Sequence, residues 1–431
     1  MLYDNLNVNE AGHLTFAGYD TADLAREYGT ALLVMDEMRI RSRCREFIRA
    51  METHLPAGSR PLYASKALSI KRIYEIMAQE NMSIDVVSAG EIYTALRSGF
   101  PMERAYFHGN SKTDRDICFA MDSGVGYFVC DNTEELNAID REAAQRGIRQ
   151  KVLLRLTPGI DPHTHEKINT GKVDSKFGAA IETGQAEELV LLAMRKANVE
   201  LRGYHCHIGS QIFDPTPFLD AAWMMLHFTA EIRNRYGYAP QELNLGGGPG
   251  VPYTESHPRI DYTEFIRNIG LRIDQICREF DLTPPAILME PGRSIVADAG
   301  MTLYSVASIK KIKHFKNYVA IDGGMTDNPR YTLYGSDYTV LPANRMHDVR
   351  NFFCTVAGCC CESGDLIQEN VLLPEPNRGD LIAVLTTGAY NYSMASNYNR
   401  VPRPPVVMIG ENGPYVAVRR ETYDDLLACD L

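Results

Sequence analysis

This sequence of 431 residues is poor in long apolar runs, paired cysteines and positive charge. No stretch approaches the ~18 uninterrupted apolar residues of a membrane-spanning helix, and residues 1–5 do not begin a basic segment followed by an apolar one. The ten cysteines include the run Cys359-Cys360-Cys361 but no Cys-x2-Cys pair, so neither a disulfide framework nor a zinc site is indicated. The net charge of −11 speaks against nucleic acid or an anionic membrane as a general partner. We therefore expect a cytoplasmic protein that holds no metal and binds neither nucleic acid nor membrane.

What the sequence does contain, from residue 37 onward, is a regular alternation of helical and strand-like segments. The predicted strands are 61–65, 84–88, 105–108, 126–130, 151–156, 201–207, 242–245 and 286–290. Such alternation predicts a parallel sheet, and eight units over about 250 residues fit a closed (β/α)8 barrel, a TIM barrel. A doubly wound open sheet is the alternative, because periodicity alone does not separate the two.

The pattern changes after Ile295, where β-like segments alternate with Gly, Pro and Asn turns. These segments are 301–309, 318–321, 352–356, 381–385, 406–409 and 416–418. The predicted fold class is therefore α/β, with a (β/α)8 barrel over residues 36–299 and an all-β, Greek-key-like domain over residues 300–431. Residues 1–35 are expected to pack onto the second domain.

One lysine ends the first predicted barrel strand. Residues 61–65 are a short apolar segment that delivers Lys66 to the carboxyl end of the sheet. Partial burial lowers the pKa of such an amine, and the neutral form can make a Schiff base with an aldehyde, most obviously that of pyridoxal phosphate. Taken alone, Lys66 is equally well read as a surface lysine with a half-buried stem.

Other strand ends carry matching groups. In a parallel barrel the functional residues lie at the carboxyl ends of the strands. Those ends hold Asp85 to Glu91 after the second strand, His207 and Ser210 after the sixth, Gly246, Gly247 and Gly248 after the seventh, and Glu290, Pro291, Gly292 and Arg293 after the eighth. The glycine run lets backbone N–H groups approach a phosphate, although a glycine cluster can also be a simple turn.

Two of these positions leave alternatives open. Glu290 follows an apolar run, so its carboxylate needs a partner, which a pyridinium N–H or Arg293 would each supply. The pair His205 and His207 suggests a metal, but no third ligand is evident in the sequence. We therefore interpret His207 as a flat group stacked on a cofactor ring and Ser210 as a phosphate donor.

The second predicted domain also holds chemistry-bearing residues. The run Cys359 to Asp365 combines thiols, two carboxylates and a glycine, and Tyr390 ends an apolar strand. Arg330 and Tyr334 flank three residues, and an arginine in such a place can clamp a carboxylate with two hydrogen bonds. Each of these groups is also typical of a polar turn or of an ordinary surface position.

Taken together, the motifs resemble the fold-type III, alanine racemase-like family of pyridoxal phosphate decarboxylases, nearly end to end. The matching segments are Tyr63-Ala64-Ser65-Lys66-Ala67, Asp85-Val86-Val87-Ser88-Ala89-Gly90-Glu91, Ser175-Lys176-Phe177-Gly178, His205-Cys206-His207-Ile208-Gly209-Ser210, Gly246-Gly247-Gly248, Glu290-Pro291-Gly292-Arg293, Cys361-Glu362-Ser363-Gly364-Asp365 and Gly388-Ala389-Tyr390.

The resemblance implies a role for each matched residue. Lys66 would hold pyridoxal 5'-phosphate covalently, with Asp85 beside it, His207 would stack on the ring, and Glu290 would pair with the ring nitrogen. The residues implied around the phosphate and ring are Ser210, Gly246, Gly247, Gly248, Pro291, Gly292, Arg293 and Tyr390. The residues implied to reach the substrate are Arg293, Arg330, Tyr334, Glu362 and Tyr390. Cys361 would return a proton to the substrate's alpha carbon.

The resemblance also implies a homodimer in which Cys361 and Glu362 complete the partner's site. Lys176 and Asp365 are similar to a pair that bridges subunits in such enzymes. One segment departs from the family pattern, because Pro329 precedes Arg330 and Tyr331 follows it, whereas Arg is usually followed by Pro. The four-residue spacing from Arg330 to Tyr334 is kept.

The implied activity is decarboxylation of meso-2,6-diaminopimelate to L-lysine and CO2, the last step of lysine biosynthesis, which makes the protein a carboxy-lyase. Decarboxylation of another basic amino acid, such as D-ornithine, D-lysine or arginine, is the nearest alternative. An amino-acid racemase would share the fold and Lys66 but needs a second base. A pyridoxal phosphate-binding protein without catalysis is the alternative from another class, although it would have no use for the second domain.

Overall fold

The computed structural model describes residues 3–160 and 176–431. Ser175, the first residue of one motif quoted above, lies outside these residues. The strands are β1 (Leu6–Val8), β2 (Leu14–Phe16), β3 (Tyr19–Asp20), β4 (Leu32–Asp36), β5 (Arg60–Ala64), β6 (Ser83–Val86), β7 (Ala105–Phe107), β8 (Tyr127–Cys130), β9 (Gln150–Thr157), β10 (Ala179–Ala180), β11 (Val199–His205), β12 (Glu242–Asn244), β13 (Ala286–Met289), β14 (Gly300–Ile312), β15 (Lys316–Ile321), β16 (Val340–Pro342), β17 (Phe352–Ala357), β18 (Leu366–Leu373), β19 (Leu381–Leu385), β20 (Val406–Gly410) and β21 (Gly413–Val418).

The α-helices of the described residues range from one turn to six turns in length. They are α1 (Thr21–Tyr28), α2 (Glu37–His54), α3 (Lys71–Gln79), α4 (Ala89–Arg97), α5 (Asp114–Asp122), α6 (Thr133–Arg146), α7 (Gln185–Met194), α8 (Thr216–Tyr236), α9 (Tyr262–Glu279), α10 (Arg293–Val296), α11 (Arg330–Tyr334) and α12 (Tyr423–Leu427). Within the part of the chain that the structure covers, none of them has the length and apolar character needed to cross a membrane.

The chain divides into two compact units. The barrel unit consists of Ser42–Gly250 and Arg259–Ser294, and the β unit consists of Met1–Arg41, Val251–Pro258 and Ile295–Leu431. The division into domains at 36–299 and 300–431 remains our own proposal beside these units.

The sheet of the barrel unit closes on itself. Its strands pair in parallel in the order β5, β6, β7, β8, β9, β11, β12 and β13, and β13 pairs again with β5. Large apolar side chains from alternate positions fill the interior, namely Leu62, Tyr106, Tyr127, Val129, Leu153 and Leu288. The (β/α)8 barrel predicted from the sequence is therefore confirmed, and the open sheet is excluded. Closure brings the carboxyl ends of all eight strands to one rim.

Four barrel helices, α4, α5, α6 and α9, begin at side-chain caps. Ser88 caps α4, and Thr113 forms a capping box with Asp116 at α5. At α6 the side chain of Asn132, which has extended backbone angles, accepts the hydrogen bond from the Glu135 N–H.

The β unit is built around a nine-stranded mixed sheet. Its main path is β18, β17, β15, β14, β4, β20 and β21, and β19 pairs with both β14 and β16. The N-terminal strand β4 lies between β14 and β20, antiparallel to the first and parallel to the second. The mainly-β second domain is confirmed, with β16 and β18 as strands that the sequence reading omitted. All ten cysteines lie in described residues and are free thiols.

Candidate active site at the barrel rim

Lys66 lies at the rim where the sequence places it. It stands in a single 3-10 turn, Ser65–Ala67, directly after β5. Its Nζ is 3.5 Å from Oδ2 of Asp85 on β6, and the lysine side chain is 39% exposed while that of Asp85 is 1% exposed. Burial raises the pKa of Asp85 to about 7. The attraction of Lys66 lowers this pKa, and the nearby Glu290 and Glu91 carboxylates raise it further.

Glu290 is a second buried carboxylate of the rim. It follows β13, and its Oε1 lies 2.7 Å from Nδ2 of Asn244 and 3.2 Å from Nε2 of both His108 and His205. Burial alone would raise the pKa of Glu290, but His108, His205 and Lys66 together hold it well below its ordinary value. Glu290 is thus an anion inside the barrel.

The alternative partner for Glu290, Arg293, makes a different contact. Nη2 of Arg293 donates a hydrogen bond to Oγ of Ser210 over 3.1 Å. Because Ser210 Oγ accepts this bond, its own O–H remains able to donate.

The glycine run packs tightly against the neighbouring strand ends. A Cβ on Gly247 would lie 2.2 Å from the Glu290 carbonyl oxygen, and a Cβ on Gly246 would lie 2.5 Å from that of Cys206. The N–H of Gly246 donates to Oδ1 of Asn244 and the N–H of Gly247 donates to Nδ1 of His207, over 2.8 and 3.2 Å. Only glycine fits these positions, for a packing reason that the sequence reading did not include.

His207 is fixed by that backbone contact. Because its Nδ1 accepts from Gly247, the ring proton is on Nε2 and the imidazole is neutral. Burial holds the pKa of His207 well below its usual value. His207 is not part of the cluster that His205 forms with His108 and Glu290. Those three residues could hold a metal ion by geometry, so two further candidate ligands for His205 exist that the sequence did not show.

Three rim residues were missed at the sequence level. His108 follows β7, Asp131 follows β8, and Arg155 is near the end of β9. The Arg155 guanidinium lies 4.2 Å from the centre of the Phe177 ring. Burial lowers the pKa of Arg155, and the carboxylates of Asp131, Glu290 and Asp85 oppose that shift. The signal was available, because each follows or ends a predicted strand. The ends of the third, fourth and fifth strands lack the recognisable motifs that mark the other strand ends.

A second group of predicted residues lies in the β unit. Arg330 and Tyr334 are the ends of α11, so their four-residue spacing is one helical turn. The Arg330 guanidinium lies 5.0 Å from the Tyr334 ring and 5.3 Å from the Tyr390 ring, and the residue is buried. Pro329 is the N-cap of α11, which shows how the departure from the family pattern is accommodated.

The Cys361 loop is shaped by Asp365. The buried Asp365 carboxylate accepts from the N–H of Met325 and from the N–H of Cys360, over 2.6 and 2.7 Å. Cys361 and Glu362 are exposed at the turn that this carboxylate fixes. Because both Asp365 oxygens accept bonds within the chain, a bridge to Lys176 of a second subunit would have to share them.

The comparisons with known proteins agree with this geometry. Residues 38–297 match the family model described as the pyridoxal-dependent decarboxylase, pyridoxal binding domain. The chain is 42% identical to the diaminopimelate decarboxylase of Bacillus subtilis over 432 residues, covering 100% of this chain and 98% of the relative. The chain belongs to the diaminopimelate decarboxylase family. The enzyme of Bacillus methanolicus is 43% identical, with 96% of each chain covered.

A solved structure of a diaminopimelate decarboxylase extends the similarity to the fold. The enzyme from M. jannaschii in complex with L-lysine superposes with a TM-score of 0.91 at 33% identity, covering 99% of this chain and 98% of that one. Membership in the diaminopimelate decarboxylase family confirms the predicted resemblance, and with it pyridoxal phosphate as the cofactor.

The rim residues fit that cofactor. A phosphate needs hydrogen-bond donors, and the N–H groups of Gly248 and Gly292 have no hydrogen-bond partner among the described residues. Ser210 and Arg293 add a hydroxyl and a cation. A protonated ring nitrogen needs an anion, which Glu290 supplies. Lys66 adds an amine for the aldehyde, with the Asp85 carboxylate 3.5 Å from its Nζ.

Proposed function

We propose that this protein is a pyridoxal phosphate-dependent carboxy-lyase that converts meso-2,6-diaminopimelate to L-lysine and CO2 as the last step of lysine biosynthesis. The observation that carries the proposal is Glu290, a buried anion held among three nitrogens at the same rim as Lys66. When bound, pyridoxal phosphate supplies an electron-accepting ring for the electron pair left behind as a carboxyl group departs. An anionic Glu290 keeps that ring nitrogen protonated, which decarboxylation requires.

Lys66 and Asp85 would handle the amine chemistry of the rim. We infer that Nζ of Lys66 holds the cofactor, since the side chain is partly exposed while its neighbour Asp85 is fixed and buried. A lysine must be neutral to attack a carbonyl carbon. Asp85, with a pKa of about 7 and 3.5 Å from Nζ, can take the proton that Lys66 gives up near neutral pH.

The other matched residues of the barrel unit would bind and orient. His207, neutral and fixed through Nδ1, presents a flat ring face. Pro291 accepts the Ala64 N–H and so ties the loop after β13 to the strand that carries Lys66. Ser210, Arg293, Gly248 and Gly292 are the donors we assign to the phosphate, and the N–H groups of Gly246 and Gly247 instead fix the loop.

The β-unit residues are proposed to select the substrate. Arg330 is a buried guanidinium whose Nε has no hydrogen-bond partner among the described residues, so it suits the distal carboxylate of a diamino diacid. Glu362 is proposed to hold the distal ammonium, Tyr334 and Tyr390 to flank the arginine, and Cys361 to protonate the alpha carbon. A distal arginine favours diaminopimelate over D-lysine, ornithine or arginine, which lack the second carboxylate.

The test is CO2 release from meso-diaminopimelate, D-lysine, ornithine and arginine, with and without added pyridoxal phosphate. We expect release from meso-diaminopimelate in preference to the others, and loss of both turnover and the bound-cofactor absorbance in Lys66→Ala. Lys71→Ala, an exposed lysine at the start of α3, is the matched control and should keep both. Preference for another amino acid, interconversion of enantiomers without CO2, or full turnover by Lys66→Ala would contradict the proposal.

We also propose that the enzyme acts in the cytoplasm as a homodimer in which Cys361 and Glu362 complete the partner's site. The exposed position of both side chains on the Asp365 turn supports this. Mixing Lys66→Ala with Cys361→Ala subunits tests it. In a symmetric dimer with shared sites, random reassortment restores about a quarter of wild-type activity, because half of the dimers then hold one intact site. If both variants are inactive alone and the mixture stays inactive after subunit exchange has been verified, the shared site is excluded.

A further inference from the structure

Three nitrogens surround one oxygen of Glu290, and two of them belong to histidines. His108 Nε2 and His205 Nε2 each lie 3.2 Å from Oε1, and the two rings meet edge to face with centroids 4.9 Å apart. Both imidazoles are buried, with side chains 4% and 1% exposed. The three residues lie at the ends of three separate strands, β7, β11 and β13, so the arrangement depends on closure of the barrel.

Asn244 fixes which atoms face the carboxylate. Its Oδ1 accepts the Gly246 N–H over 2.8 Å, so its amide nitrogen must be the atom that lies 2.7 Å from Glu290 Oε1. The amide therefore donates to Oε1, and this oxygen acts as an acceptor.

The two imidazoles must present protons to the same oxygen. A ring nitrogen with its lone pair 3.2 Å from a carboxylate oxygen would be repelled, whereas an N–H there is attracted. The approach is oblique, and neither Nε2 makes a full hydrogen bond within the described residues. Burial keeps the pKa of both histidines below the ordinary value, so each remains a neutral donor and Glu290 keeps its full charge.

The second carboxylate oxygen of Glu290 has different surroundings. Oε2 of Glu290 has no hydrogen-bond partner in the described part of the chain. One oxygen thus faces three nitrogens of the protein while the other is kept for a ligand. Donors on Oε1 also lower the basicity of the carboxylate, so a proton shared with a ring nitrogen stays on the nitrogen.

We propose that His108 and His205 are positioning residues that hold Glu290 through Oε1 as neutral N–H donors, so that Oε2 pairs with the cofactor's ring nitrogen and keeps that nitrogen protonated. This inference rests on the proposed function. It differs from a metal site made of the same three residues, in which both imidazoles would present lone pairs and the Asn244 N–H would face a metal-bound oxygen.

The experiment compares His108→Leu and His205→Leu with His108→Gln and His205→Gln in the holoenzyme, reconstituted with pyridoxal phosphate labelled with 15N in the ring. Gln retains an N–H near the Nε2 position, and Leu retains only bulk. The matched control is His227→Leu, a histidine stacked on Trp223 in α8. The readouts are the ring 15N shift, kcat and KM for meso-diaminopimelate, and zinc content.

In the Leu variants we expect the 15N shift to move toward the unprotonated value, and kcat to fall about fivefold to thirtyfold with little change in KM. The Gln variants and His227→Leu should stay within about threefold of wild type and keep the protonated shift. Leu variants that bind the cofactor with an unchanged 15N shift would overturn the inference, as would Gln variants that fail as badly as Leu. Stoichiometric zinc in the wild type, with activity lost to a chelator, would assign the cluster to a metal instead. Wild-type protein that takes up no cofactor would refute the proposed function itself, and the inference with it.

Discussion

Asp85 provides a direct test of how burial in the barrel unit changes the pKa of a carboxyl group. Its carboxyl is buried at the end of β6, and burial raises its pKa from 3.8 to about 7 despite the attraction of Lys66. Between these two values the folded apoprotein holds a proton at Asp85 that the unfolded chain has already released. Folding stability therefore falls as the pH rises through this window.

The size of the effect follows from the two pKa values. One proton of difference changes the free energy of unfolding by about 1.4 kcal/mol per pH unit. From pH 5 to pH 7, Asp85 should remove roughly 2–3 kcal/mol from the wild type, with little further loss above pH 8. Asp85→Asn removes the titrating group and nearly keeps its shape, so its advantage over wild type should grow by that amount across the same range.

The assay is urea unfolding of the two apoproteins from pH 5 to pH 8, followed by the fluorescence of Trp223. This residue is the single tryptophan and lies on α8 of the barrel unit, so the signal reports the unit that holds Asp85. Asp274→Asn, on the exposed face of α9, is the control and should run parallel to wild type. Parallel curves for Asp85→Asn and wild type would refute the reasoning, because they would mean that Asp85 is ionised in the folded protein at pH 5.

Three further changes have defined outcomes. Gly247→Ala places a Cβ 2.2 Å from the Glu290 carbonyl and should destabilise the barrel unit by about 1–3 kcal/mol while weakening cofactor binding, measured by urea unfolding and cofactor titration. Lys112→Met breaks a buried ion pair with Glu135 at 2.7 Å and should cost about 3–5 kcal/mol in the same unfolding assay. Arg330→Met should raise KM for meso-diaminopimelate about tenfold to a hundredfold in steady-state kinetics, with less effect on any slow turnover of D-lysine.

Each of these has a control and a contrary result. Gly124→Ala, at a position with open space around its Cβ, tests whether any glycine loss harms the protein, although its positive φ adds some strain. A stable Gly247→Ala with wild-type cofactor affinity would mean that the loop can move. Glu135→Gln combined with Lys112→Met should recover part of the lost stability, since no charge is then left unpaired. Equal losses on both substrates in Arg330→Met would place the arginine away from the distal carboxylate.

Sequence patterns predicted the barrel because local and global signals coincide there. Each strand of the closed barrel is a short apolar run bounded by turn residues, and the eight predicted strands lie within a few residues of the observed ones. In the β unit the signals are weaker. β18, Leu366–Leu373, mixes Gln, Glu and Asn with its apolar residues, and β16 has only three residues, so neither stands out by periodicity.

For the candidate site, the sequence reading located residues with recognisable motifs and missed those that depend on three-dimensional neighbours. Lys66, His207 and Glu290 were found because each stands in a distinctive run. His108 and Asn244 were not, because nothing in their segments indicates that both will meet Glu290 after the barrel closes. The glycine run was predicted to free three N–H groups for phosphate, but two of them are used within the loop, which only the fold could show.

The placement of β4 has a consequence for synthesis on the ribosome. Leu32–Asp36 emerges early, but its neighbours in the sheet begin at Gly300 and Val406, the first roughly 260 residues later. At about 5–20 residues per second this apolar segment waits on the order of 10–50 s without its partners. The barrel unit, complete at Ser294, is made in the meantime and can fold first. During that interval Leu32–Asp36 lacks both of its neighbours in the sheet, so its backbone N–H and C=O groups and its apolar side chains stay exposed to solvent.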